Sequence, residues 1–247
     1  MKITAIGIIL FVLFSFGKCN SSRNNARKPF VNPQLNYTYK PRSTDGTGKF
    51  YVNREIAQVM GADGADWLNR KTRAKEENSK LAIDKMDLTP SSVVADIGAG
   101  TGYYTFKIAE RVPQGKVYAV EIQDELIRYL NNQKKELGAS NVQVVQGDVK
   151  SPHLPDSSLD LAILIDVYHE LEYPREMLHY IRNALKSNGR ILLIEYRAED
   201  PSIPIKPLHK MSVTQVNKEM ADNGFNLIDD GEFLPLQHFL MYKKTNL

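Results

Sequence analysis

Three glycines at alternate positions, Gly98, Gly100 and Gly102, follow an apolar run that ends in Asp96, within the stretch VVADIGAGTGYYTF. Glycines so placed let the backbone approach a ligand closely, and the first N–H groups of a helix that follows can receive an anion. The spacing is G-x-G-x-G. A dinucleotide fingerprint needs glycine at position 103, where this chain has Tyr103. The charge is also wrong for a pyrophosphate. Asp96 at the entrance of the turn suits a ligand with positive charge, such as an ammonium or a sulfonium. A ligand with an amino-acid-like end, cationic and anionic at once, meets both demands.

Two more carboxylates extend the pattern. Glu121 ends VYAVE, about 20 residues on, where an acidic side chain can accept from both hydroxyls of a ribose. Asp148, in VQGDV, could accept from an adenine amino group. One acidic strand end alone reads as a solvated carboxylate; three on successive strand ends point to a single nucleoside-like ligand. A second cluster stands in DVYHELEYP: Asp166, Tyr168, His169 and Glu170. His169 has the side chain whose ordinary pKa suits a general base, with a packing histidine as the alternative. Tyr168 either walls a pocket or orients a reacting group.

The elements that must carry these residues alternate. Apolar runs of strand type cover Val93–Ile97, Lys116–Ile122, Val142–Val145, Leu159–Val167 and Arg190–Tyr196. Helical patterns lie between them, at Tyr103–Arg111, Asp124–Leu137 and Arg175–Lys186. Nearly all-apolar strands alternating with helices predict a parallel sheet covered on both faces. Gly138 and Gly189 fit helix C-terminal glycines. A last helix is expected over Val213–Asn223, ended by Gly224, before two strands, Phe225–Ile228 and Phe239–Lys243, that pair antiparallel at the sheet edge. Upstream, Arg54 to Met86 reads as helical with a break at GADGAD, Ile56, Val59 and Met60 forming one stripe.

The composition, 42% hydrophobic and 25% charged, is that of an ordinary globular protein. A net charge of +3, with its early excess at Lys18, Arg23, Arg27, Lys28, Lys40 and Arg42, leaves no dense basic patch in the body, so a nucleic-acid partner is not expected. The single cysteine, Cys19, excludes a disulfide framework, and no metal site is expected from the histidine spacing. Lys2 precedes an apolar run, Ile3 to Gly17, shorter than the about 20 residues a spanning helix needs and of the length of a signal-peptide core. Cys19 sits where a lipoprotein cysteine is lipidated. Lys18 before it, and charges mainly beyond the run, favour instead an uncleaved anchor with the body facing the cytoplasm. The expected location is exported and membrane-tethered, with the cytoplasm-facing anchor as the alternative.

VADIGAGTG, VYAVEIQDE, VVQGDV, LDLAILIDVYHEL and NGRILLIEY resemble the successive motifs of the class I S-adenosylmethionine-dependent methyltransferases, from Val93 to about Tyr196. The resemblance implies an α/β fold: a doubly wound, mostly parallel seven-stranded sheet of Rossmann-like type, its last strand antiparallel, here with an N-terminal helical cap. The chain then divides into a signal-peptide or lipoprotein-like segment (1–19), a linker (20–50), the cap (51–88) and the S-adenosylmethionine-binding domain (89–247). It further implies that Asp96 and the loop of Gly98, Ala99, Gly100 and Gly102 hold the methionine moiety. Glu121 and Ile122 would hold the ribose, Asp148 and Val149 the adenine, and Asp166 would complete the site.

Methyl transfer is an in-line displacement in which the cofactor brings the activation and the protein positions the acceptor. His169 and Tyr168 are the candidate catalytic residues. Tyr103, Tyr104, Glu170, Trp67, Arg70 and His209 are candidates for acceptor contact, with Arg73 and Lys210 beside them. A small-molecule or lipid-like acceptor is expected. The Asn-Pro-Pro-aromatic motif of enzymes that methylate amino groups of nucleobases and glutamines is absent, and the cap lacks the cysteines of arsenic methylation. A non-catalytic cofactor-binding protein at a membrane is the alternative; a polyamine synthase is only weakly supported.

Overall fold

The computed structural model describes residues 37–245; the expectations for residues 1–36, Cys19 among them, lie outside it. Seven strands form the main sheet: β4 (Val93–Ile97), β5 (Lys116–Glu121), β6 (Val142–Gln146), β7 (Leu159–Ile165), β8 (Leu185–Tyr196), β9 (Phe225–Gly231) and β10 (Gln237–Lys244). Their spatial order is β6-β5-β4-β7-β8-β10-β9. Neighbours from β6 to β8 pair parallel, and β10 pairs antiparallel with both β8 and β9, which confirms the doubly wound sheet and its antiparallel strand. The chain leaves β4 in one direction through β5 and β6, then crosses back to lay β7 on the other side of β4. That reversal opens a crevice at the carboxyl ends of β4 and β7, where open α/β sheets bind ligands.

Burial on both faces explains why the strands read as unbroken apolar runs. Along β4 and β7, Val94, Leu161 and Ile163 pack with Ile83, Ile108 and Leu130 on one face. Ala95, Ile97, Ala162 and Leu164 pack with Leu178, Ile181, Val216 and Met220 on the other. The helices supplying those residues are α3 (Ser79–Asp84), α4 (Thr105–Arg111), α5 (Asp124–Glu136), α6 (Pro174–Ala184) and α7 (Val213–Asp222). Gly138 and Gly224, both at positive φ, end α5 and α7 as expected.

Gly189 differs from expectation. It lies within β8, where Leu159 faces Leu185 and Leu161 faces Arg190, so that 186–189 loop out of the ladder. A Cβ there would stand 2.8 Å from the Leu159 carbonyl oxygen, so close backbone approach selects the glycine and helix capping does not.

The part before the main sheet is not purely helical. A small antiparallel sheet, β1 (Tyr37–Tyr39), β2 (Gly46–Tyr51) and β3 (Arg54–Ala57), occupies the end of the segment read as a linker and the start of the one read as a helix. Val52 and Asn53, both at positive φ, form the two-residue turn between β2 and β3, and such turns suit a hairpin's twist. Tyr37, Tyr51 and Ile56 bury against one another there. Short helices α1 (Ala65–Leu68) and α2 (Arg73–Glu77) lead into α3. Among the described residues no helix is long and apolar enough to cross a membrane.

Candidate cofactor and acceptor site

The glycine loop leaves β4 with Gly98, Gly100 and Gly102 all at positive φ, a conformation few other residues adopt. Gly98 lies where β4 and β7 part; a Cβ there would stand 2.7 Å from Val167 Cγ1. The loop is held from below by Val120, whose carbonyl accepts from Gly98 N and Ala99 N. It is held from the side by Glu121. That buried carboxylate accepts from Gly100 N at 2.9 Å through Oε2, and from Ile122 N at 2.7 Å and Gln123 N at 3.0 Å through Oε1. A carboxylate has about four acceptor sites, so one remains on Oε2 for a ligand hydroxyl.

Asp96 is buried and accepts from the Thr105 hydroxyl at 2.6 Å. Burial pushes its pKa up to about 6, Thr105 and Arg73 oppose the rise, and the charge of Glu121 adds to it. A folded-state value above the ordinary 3.8 means that the folded protein binds the proton more tightly. That stabilisation is complete below about pH 4 and is lost as pH rises to about 6. Asp96→Asn removes the dependence. Its stability relative to the parent is expected to rise by up to about 3 kcal/mol between pH 4 and pH 7, read by denaturant unfolding at both values. A flat difference would show that Asp96 is not strained by its burial.

The cleft over the loop encloses about 1060 Å³, its mouth included. Asp96, Gly98, Ala99, Gly100, Glu121, Ile122, Asp148, Val149 and Asp166 line it, as do Tyr103 and Tyr104. Gly102 shapes the loop without reaching the cleft. Asp148 stands exposed at the rim, its Oδ1 accepting from Lys150 N and Ser151 N and its Oδ2 3.0 Å from His153 Nε2. Those backbone donors, and His153, hold its pKa below the ordinary value. Among the described residues six acidic side chains line the cleft (Asp96, Glu121, Asp148, Asp166, Glu170, Glu172) against one cation, Arg73, and those that are ionised attract a positively charged ligand.

A second, more open chamber of about 1020 Å³, the solvent at its mouth included, adjoins the cleft. The two share Val59, Met60, Leu68, Asp166 and Glu170. Asp166 follows β7 at φ 52° and accepts from Gln237 Nε2 at 2.7 Å through Oδ2; its Oδ1 is sealed from solvent and has no hydrogen-bond partner among the described residues. Burial, with Glu77 and Glu195 nearby, raises its pKa well above the ordinary range.

The turn Tyr168–Glu170 separates residues that adjoin in sequence. His169 and Glu170 face the second chamber, while Tyr168 points into the core, fully buried, its hydroxyl donating to Glu219 Oε2 at 2.8 Å. Tyr168 therefore does not reach a ligand, contrary to expectation. The one-turn helix rotates it away from the chamber.

His169 is buried with Nδ1 2.6 Å from Glu195 Oε2 and Nε2 3.4 Å from Glu170 Oε1. Burial alone would depress its pKa; Glu195 and Glu170 together override that and raise it to about 10. At neutral pH it holds its proton, which argues against the general-base role. Glu170 shows the converse: burial raises its pKa, but His169 and His209 bring it down to about 2.

Trp67 and His209 line the second chamber; Arg70 does not, being spent on Glu76, Glu77, the Trp67 carbonyl and the Tyr196 hydroxyl. Arg73 lines the cofactor cleft, with its guanidinium on Glu77 and stacked 4.3 Å over Tyr103. Lys210 turns to the Asp200 carbonyl, and Lys206 lines the chamber in its place. No local pattern marks Glu195, Glu77, Tyr196 or Met60 as residues of the site. Met60 spans the two compartments: its N–H donates to Glu170 Oε2 at 3.1 Å and its carbonyl accepts from Gln123 Nε2 at 3.1 Å.

The residues present fit S-adenosylmethionine. A cleft without side chains at Gly98 and Gly100, a fixed carboxylate with a spare acceptor at Glu121, and two sealed, unpartnered polar atoms at its wall, Asp166 Oδ1 and Tyr104 Oη, are features that such a ligand would satisfy. When bound, the cofactor supplies a methyl group activated on a sulfonium centre. Asp96 and the loop would hold its amino-acid end, Glu121 and Ile122 its ribose, Asp148 and Val149 its base.

Comparison with known proteins agrees. A family model described as a methyltransferase domain matches residues 88–238. The ubiquinone/menaquinone biosynthesis C-methyltransferase UbiE of Ectopseudomonas mendocina is 29% identical over 119 residues, 47% of this chain and 46% of that protein. The uncharacterized methyltransferase YcgJ of Bacillus subtilis is 28% identical over 134 residues, 54% of this chain and 52% of that one. The chain thus spans about half the length of these curated relatives. A solved S-adenosylmethionine-dependent methyltransferase from Aquifex aeolicus superimposes with a TM-score of 0.71 at 22% identity, over 74% of this chain and 98% of that one, a likeness of fold.

Proposed function

The chain belongs to the class I S-adenosylmethionine-dependent methyltransferases, and we propose that its acceptor is a small, partly apolar or lipid-like molecule held in the second chamber. The observation that carries this reading is the junction of cleft and chamber along Asp166 and Glu170. An acceptor in the chamber would lie against Val59, Met60, Trp67, Leu68, Pro204 and Ile205, an apolar wall over a polar floor. The relatives named for ubiquinone and menaquinone biosynthesis lend support. Asp166, which lines both cleft and chamber and has a raised pKa, is the group we place between cofactor and acceptor to hold or take a proton.

Calorimetry of the purified protein with S-adenosylmethionine and with its demethylated product is the first test. Binding of neither removes the reading. Methyl-labelled cofactor incubated with a metabolite and lipid extract then reports transfer. Cofactor binding without label transfer to any extract component would favour the non-catalytic binding protein. For residues 1–19 we propose an export or anchoring role with lipid on Cys19. Cys19→Ala is expected to move the protein from the membrane to the soluble fraction, and an unchanged distribution would remove lipidation at that residue.

A further inference from the structure

His169, Glu170 and His209 come from two separate turns, Tyr168–Glu170 and Pro207–His209, yet one metal-ligand atom from each lies within 4.8 Å of the others. His169 Nε2 is 3.4 Å from Glu170 Oε1, and His209 Nδ1 is 3.6 Å from the same oxygen. Atoms bound at about 2.1 Å to a tetrahedral metal ion stand about 3.4 Å apart. The two spacings to Glu170 Oε1 are close to that, and the two imidazole nitrogens lie within 4.8 Å of each other, so a small approach of the rings completes the set.

Two further contacts orient the set. His169 Nδ1 is engaged by the buried Glu195, which fixes the ring and turns Nε2 toward the cluster; metal-bound imidazoles are held by carboxylates in this way. Glu170 Oε2 is engaged by Met60 N, which leaves Oε1 for the cluster. All three residues line the acceptor chamber, so a cation held there keeps coordination positions open to a ligand.

We propose that His169 Nε2, Glu170 Oε1 and His209 Nδ1 form a three-ligand site for a divalent transition-metal cation of the zinc class on the floor of the acceptor chamber. Two imidazoles and one carboxylate suit zinc, cobalt or iron(II); calcium and magnesium prefer all-oxygen sets. Binding displaces the proton on His169 Nε2 to solvent. The open positions take an oxygen donor of the acceptor. Only that last statement rests on the acceptor reading above.

The test uses untagged, full-length protein, freed of metal by chelator and titrated with CoCl2. Visible d–d absorbance and calorimetry report coordination and stoichiometry, with ZnCl2 as competitor. One cobalt ion per chain, displaced by zinc, is expected. His209→Ala, in a partly exposed turn, is expected to weaken binding ~10-fold or more while circular dichroism and thermal unfolding stay those of the parent; Glu170→Gln is the second variant. A spectrum without stoichiometric cobalt, or equal affinity in parent and both variants, overturns the site. S-adenosylmethionine calorimetry runs in parallel. Lost cofactor binding with cobalt binding intact removes the methyltransferase reading alone, and the reverse result removes the metal site alone.

Discussion

Glu121→Ala is expected to lower S-adenosylmethionine affinity by ~100-fold or more. The carboxylate does two things at once. It presents a spare acceptor to the cleft, and it fixes Gly100 N, Ile122 N and Gln123 N, so its removal frees the loop that the ligand must find in place. Hydrogen bonds to a charged group contribute about 1.5–3 kcal/mol each, and loss of one to the ligand plus loosening of the loop reaches about 3 kcal/mol, the equivalent of ~100-fold. Calorimetry measures it directly. Glu121→Gln should fall between, because an amide can still accept from two of the N–H groups but sets a donor against the third. A change under ~5-fold for the alanine variant would mean that the ligand does not use this carboxylate.

The second large effect concerns stability. Glu219, on α7, is fully buried and receives Arg54 through two contacts of 2.7 and 2.9 Å, the Tyr168 hydroxyl at 2.8 Å and Gln215 Nε2 at 2.7 Å. It ties β3 to α7 and to the turn that carries His169, whose carbonyl accepts from Arg54 as well. Glu219→Ala leaves a guanidinium with 10% of its side chain exposed and without its paired carboxylate, besides a buried hydroxyl that loses its acceptor. Breaking one side of such a pair costs about 3–5 kcal/mol, a large fraction of the about 5–15 kcal/mol that holds a domain folded. Urea unfolding of the single variant tests this. The double variant Arg54→Met/Glu219→Leu should recover much of the loss, because it removes the stranded charge instead of exposing it. Equal losses in the single and the double variant would show that packing, and not charge, dominates.

The main sheet was legible because its strands are buried on both faces, so each reads as an apolar run bounded by turns. The small sheet was not. Ile56, Val59 and Met60 satisfy a helical spacing, but the chain turns back at Val52–Asn53 without a glycine to announce the hairpin. The cofactor side was legible from the alternate glycines and the acidic strand ends, because positive φ and buried charge leave traces in residue type. The acceptor side was legible only in part. DVYHE lay at the right edge of the sheet, but a one-turn helix decides which side chains face the chamber, and it sends Tyr168 inward. The meeting of His209 with His169 and Glu170 depends on the path of 197–209, which no local pattern dictates. Glu195 reads as a charge in an apolar strand until His169 is found against it.

The backbone of Met60 has a consequence of its own. One residue closes onto Gln123 at the cofactor side and onto Glu170 at the acceptor side. A ligand that displaces either bond moves the residue that also borders the other compartment, so any coupling carried by this strut acts with the same factor in both directions.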